Sequence, residues 1–168
     1  MSHSTFDTSR AGRFAPQSTP SFHRILVATD GRPAAGVVID AGIALAQALA
    51  APVVIVHSMH AWHGGRLMRA IFRAADVAAE DGLLARAEAC LNRGRLVALA
   101  AGVRFETRLS YDDHAIRAIL DAARETECDL IVMGSDEDHG WFGGNVTRKV
   151  VERAEASVLV IPVQPRAR

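Results

Sequence analysis

The residues whose types and spacing could do chemistry gather at two points of the chain. The first is Thr29-Asp30-Gly31-Arg32-Pro33, an acid and a base on either side of a glycine. The second runs from Gly134-Ser135-Asp136-Glu137-Asp138-His139 through Gly140-Trp141-Phe142-Gly143 to Gly144-Asn145-Val146-Thr147. Each follows a short apolar run. Glycines let a backbone approach a phosphate, and the first turn of a helix offers unpaired N–H groups to an anion. One glycine-rich loop is weak evidence for such a use; an aspartate across a crevice from it strengthens the reading. Other chemistries lack their parts. Ser135 follows a strand but has no G-x-S-x-G elbow. There is no Walker A sequence and no G-x-G-x-x-G fingerprint. His139 beside Asp138 comes with neither a nucleophile nor an oxyanion arrangement. No catalytic residue is assigned, and an enzyme is not expected. His57, His60 and His63 recur every third residue, a spacing that drifts around a helix axis. Zinc ordinarily takes four ligands, and no Cys or carboxylate stands close by in sequence. The three read as a polar loop at the crevice mouth, with His63-Gly64-Gly65 as a lid segment, and no metal is assigned.

The elements that must position these loops follow a regular punctuation. Arg24–Thr29 is a short β-branched run stopped by Asp30-Gly31, which predicts a strand. Pro33 suits the first turn of a helix, and Ala34–Ala50 carries an apolar stripe of Val38, Ala41, Leu45 and Leu49. Pro52–His57 is a second strand. A long helical region to about Ala101 places Leu84, Ala87 and Leu91 on one face, with a break possible at Asp81-Gly82 because glycine costs about 1 kcal/mol there. Val103–Leu109 alternates apolar and polar residues, which predicts a strand with one wet face near a sheet edge. Asp112 or Asp113 is placed to cap the next helix, whose stripe is Ile116, Ile119, Leu120 and Ala123. Asp129–Gly134 is uninterruptedly apolar, as when both faces are covered. A short helix over Asn145–Ala154 and a last strand over Ser157–Val163 complete the set. Pro162 suits a strand end or an edge.

Strands alternating with helices predict an α/β fold, a five-stranded parallel sheet with helices on both faces. The wet third strand favours the order 3-2-1-4-5. Ligands in such sheets bind where the winding reverses, which is between Asp30 and Gly134. The 168 residues fit one domain. Residues 1–21, rich in Ser, Thr and Pro, read as a flexible tail, and 22–168 as the domain. Arg10 and Arg13 among hydroxyl residues suggest a presequence, but Asp7 and the missing apolar face oppose it. With 19 basic and 19 acidic side chains, neither nucleic acid nor anionic membrane is an expected partner. No apolar stretch is long enough to span a bilayer. Cys90 and Cys128 read as reduced core thiols in a cytoplasmic protein.

Four segments carry a family resemblance. Ile25-Leu26-Val27-Ala28-Thr29-Asp30-Gly31 resembles the opening strand of the universal stress proteins. Asp129–Ser135 resembles their fourth strand, Gly144–Val150 the start of their last helix, and Ala156–Val163 their closing strand. The resemblance spans about 22–164, with the motifs in order. It implies a stress-response module of Rossmann-like or flavodoxin-like fold. Many members bind ATP through an aspartate ending the first strand, which Asp30 matches, and a backbone position on the second, near Val54. The implied cofactor-binding set is Asp30, Val54, Met133, Gly134, Gly144, Asn145 and Val146.

The loop departs from the family's G-x-x-G, nine residues, then G-S or G-T. Gly134 matches the first glycine, Glu137 stands where the second belongs, and six residues (138–143) lead to Gly144-Asn145. The loop is thus about three residues short. Asp136, Glu137 and Asp138 would also face a triphosphate, and unit charges about 5 Å apart repel by roughly 3 kcal/mol at an effective dielectric of about 20. Magnesium could invert this, yet consecutive carboxylates seldom all face inward, so solvated loop charges are the simpler reading. Arg32 stands where a small hydroxyl residue is usual, either reaching a phosphate or facing solvent. Trp141 and Phe142 pack over the short turn or dock a partner. The first expectation is therefore a module with weak or absent ATP binding that acts through protein contacts or a conformational switch. The alternative is an adenine-nucleotide sensor. Family members commonly dimerise through the last strand, which implies a homodimer with Val158, Val160 and Val163 in contact.

Overall fold

Five short runs rich in β-branched residues become strands, and the longer alanine-rich segments become helices. The computed structural model describes residues 22–32, 35–58, 73–110, 114–136 and 145–163. The strands are β1 Ile25–Thr29, β2 Val53–Ser58, β3 Phe105–Ser110, β4 Leu130–Asp136 and β5 Ser157–Val163. The helices are α1 Ala35–Ala48, α2 Arg73–Ala100, α3 Ala115–Glu125 and α4 Asn145–Arg153. All strand pairs are parallel, in the order β3-β2-β1-β4-β5. The expected fold class and strand order hold. The expected tail over 1–21 lies outside the described residues.

Alternate residues of a strand point to opposite faces, so the sheet divides the core in two. Ile25 and Val27 of β1, with Ile55 of β2 and Val132 of β4, meet Ile39 and Ile43 of α1 on one face. Leu26, Val54 and Ile131 meet Ile119 of α3 and Val150 of α4 on the other. Every residue of β1 and β2 is buried, whereas β3 is half-buried along its length. Each buried Val, Leu or Ile side chain contributes roughly 1.5–3 kcal/mol, so the central strands hold the two layers together.

Three local expectations change. On α1 the buried face is Ala35, Val38, Ile39, Gly42, Ile43 and Ala46, with Leu45 and Leu49 at its margin. Small residues decide this: a Cβ on Gly42 would stand 2.5 Å from Val27 Cγ2, so that side of the helix lies closest to β1. No break occurs at Gly82, and α2 continues through it. A Cβ there would meet nothing within 4 Å, so the glycine sits on an open face. Finally, α3 starts at Ala115 with His114 at its N-cap and no side-chain cap bond. Asp112 and Asp113, which lie outside the described residues, precede the capping position. No helix among the described residues is long and apolar enough to cross a membrane.

Candidate functional site

β1 leads to α1 on one face of the sheet and β4 leads to α4 on the other. The carboxyl ends of these two neighbouring strands therefore part, and a crevice of about 60 Å³ opens between them. Its inner wall is apolar, formed by Ala28, Val56, Ile119 and Met133. Val38 and Val163 close the α1 side, and Asp30, Arg32, Ser58 and Thr147 supply polar groups.

Asp30 is set by its own loop. Gly31 at φ +73° reverses the chain, a conformation that glycine adopts without steric cost. The Arg32 backbone N–H then donates to Asp30 Oδ1 at 3.1 Å, while Arg32 Nε stands 3.2 Å from Asp30 Oδ2. Gly31 N–H donates to Thr29 Oγ1 at 3.3 Å, and that hydroxyl lies 3.1 Å from Cys90 Sγ on α2. Burial raises the Cys90 thiol, with the Thr29 hydrogen bond pulling the other way. Cys90 is therefore a neutral, weakly nucleophilic support.

His57 belongs to β2, as the expected strand Pro52–His57 has it, and only 5% of it is exposed, so it is not part of a polar loop at the mouth. Strand alternation turns it away from the crevice and behind Gly31. Burial pushes its imidazole below its usual value, and Asp30 pulls partly back. Its Nδ1 has no hydrogen-bond partner among the described residues. His60 and His63 lie outside the described residues.

One residue further, Ser58 points into the crevice. Its Oγ is buried and has no partner among the described residues. An orphaned buried hydroxyl costs roughly 1–3 kcal/mol, and its residue lines the crevice. On the opposite rim, Thr147 Oγ1 donates to the Gly134 carbonyl at 3.1 Å, tying the first turn of α4 to the end of β4.

The structure brings Asp30, Met133 and Gly134 together at the crevice. Val54 is fully buried beneath it, packed in the lower core. On that strand the crevice is instead lined by Val56 and Ser58, two and four residues farther along the same face. Val146 packs toward the α3–α4 core. Asn145 begins α4, and Gly144, Glu137 and Asp138 lie outside the described residues. Sequence reading missed Ser58, and it named Thr147 in the second loop without placing it in the binding set. The only available signal was a serine ending a buried strand and a threonine opening a helix.

Residues 21–162 match the Universal stress protein family. The chain belongs to that family. Among solved structures, a universal stress protein family member from Burkholderia pseudomallei is 24% identical, with a TM-score of 0.65 over 86% of this chain and 98% of its own. A universal stress protein in complex with cAMP is 21% identical, with a TM-score of 0.64 over 86% and 99%. One from Archaeoglobus fulgidus in complex with dAMP is 23% identical, with a TM-score of 0.59 over 84% and 98%. At these identities the likeness is one of fold. No curated protein matches the chain.

Proposed function

We propose that this universal stress protein is a homodimeric stress-response module whose crevice takes the nucleoside end of an adenine nucleotide. It holds triphosphate weakly and acts through protein partners instead of through catalysis. One observation carries the reading: an apolar crevice at the carboxyl ends of β1 and β4 has Asp30 and Ser58 in its lining, and the Ser58 hydroxyl has no partner among the described residues. A planar base fits between apolar walls while its polar edge meets the hydroxyl. Sugar hydroxyls meet the carboxylate. In this reading the nucleoside end occupies the apolar crevice and the phosphates stand at or beyond its mouth. There the sequence offers Asp136, Glu137 and Asp138 and a shortened loop, which oppose a triphosphate more than a monophosphate. The two similar proteins in complex with cAMP and dAMP hold ligands of that smaller charge.

The dimer is proposed through β5. This strand pairs with β4 alone among the described residues, and Leu159 on it is 39% exposed. An edge of this kind offers a ladder to a second copy, with Val158, Val160 and Val163 as the expected contacts. The free thiols of Cys90 and Cys128 fit a reducing, cytoplasmic setting.

Calorimetric titration of the protein and of Asp30→Ala with AMP and with Mg-ATP tests the ligand. The expected result is AMP binding that exceeds ATP binding and is lost in the variant. No heat from either nucleotide at millimolar concentration would reject the nucleotide part and leave a dimeric interaction module.

A further inference from the structure

Arg32 engages both oxygens of Asp30, through its backbone N–H at 3.1 Å and its Nε at 3.2 Å. Both side chains line the crevice, and they are 31% and 22% exposed. On α2 behind them, Arg93 is committed to Asp40 at 2.8 Å and burial keeps Cys90 a neutral thiol; on β2, burial holds His57 toward its neutral form. Among the described residues, Arg32 is the cation paired with Asp30. The two contacts differ in kind. The backbone contact belongs to the turn, which Gly31 N–H also braces on Thr29 Oγ1. The Nε contact belongs to a side chain that can rotate.

A neutral nucleoside meets a cost at this carboxylate. To give a hydroxyl to Oδ2 it must displace Nε and break that ion pair. A nucleoside carrying phosphate brings a second anion, and the planar fork of arginine matches phosphate oxygens as it matches a carboxylate. We propose that Arg32 is a specificity-determining residue that makes the crevice select phosphorylated nucleosides over unphosphorylated ones. It covers Asp30 Oδ2 in the empty protein and turns to the phosphate in the loaded one. The backbone N–H stays on Oδ1 throughout, so the carboxylate keeps its orientation while one oxygen changes partner. This inference rests on the nucleotide reading above and adds the charge that the ligand must carry.

The test compares adenosine and AMP on the full chain and on Arg32→Ala and Arg32→Lys, by calorimetry at low salt, with thermal melting as a control for folding. The full chain should bind AMP at least about tenfold more tightly than adenosine, the scale of a charge-assisted hydrogen bond. In Arg32→Ala adenosine should tighten and AMP weaken, bringing the ratio to within roughly threefold. Arg32→Lys keeps the charge without the fork and should fall between. An unchanged ratio in Arg32→Ala, with both ligands still bound, would overturn the role of Arg32 and leave the nucleotide site standing. Adenosine that weakens in Arg32→Ala would also overturn it, by showing support where covering is claimed. Failure of both ligands on every version would overturn the nucleotide reading and this inference together.

Discussion

A Cβ added to Gly31 would stand 2.7 Å from Cε1 of His57. The loop that presents Asp30 and the buried end of β2 are thus in direct van der Waals contact. The shape of the crevice mouth depends on a glycine and an imidazole that sit behind it.

Replacing that glycine tests the dependence. Gly31→Ala meets both a φ of +73° and the His57 ring, and should lower stability by about 1–3 kcal/mol. Urea unfolding measures the loss. AMP binding should weaken with it, because Asp30 is the next residue. A variant as stable as the parent would show that the loop adjusts freely.

His57 predicts a pH dependence. Burial holds its folded-state pKa below the ordinary 6.5, with Asp30 offsetting part of the shift. The unfolded chain therefore takes up the proton first as pH falls. Stability is undiminished well above 6.5, declines as pH drops through that value, and levels off below the folded-state pKa. His57→Leu removes the titration and should flatten this part of the profile. Denaturant midpoints at a series of pH values between about 8 and 5 would read the slope; an equal slope in the variant would assign it to other groups.

The exposed interior of α2 offers a stabilising change. A Cβ at Gly82 meets nothing within 4 Å, and alanine favours helix over glycine by roughly 1 kcal/mol. Gly82→Ala should raise the urea midpoint by a corresponding amount without touching ligand affinity. A decrease would mean that this face of α2 is covered in the working protein.

The edge strand carries the assembly prediction. Val160→Asp puts a charge on β5 within the proposed contact, and burying an unpaired carboxylate there costs several kcal/mol. Sedimentation should show a dimer in the parent and a monomer in the variant at equal concentration. An unaltered monomer–dimer balance would remove β5 as the interface.

The sequence by itself determined the class of fold, the strand order and the position of the crevice. Period and punctuation are local properties: Leu130–Gly134 is apolar throughout because both its faces are covered, and Asp30-Gly31 ends its strand wherever that strand lies. The sequence also marked Asp30 and Gly134, at the ends of the expected first and fourth strands where the winding reverses, and the family resemblance added Met133. Tertiary structure decided the rest. Val54, Val56 and Ser58 share one face of β2, and only their height relative to β1 and β4 separates the core from the crevice wall. Pattern placed His57 both at the end of the second strand and among the histidines of a mouth loop; its register beside Thr29 keeps it in β2, where it is buried. The buried face of α1 turned toward Gly42 because a glycine permits an approach that no hydrophobic count records. Which groups meet across the sheet depends on register and depth, and these are set by packing among segments distant in the chain.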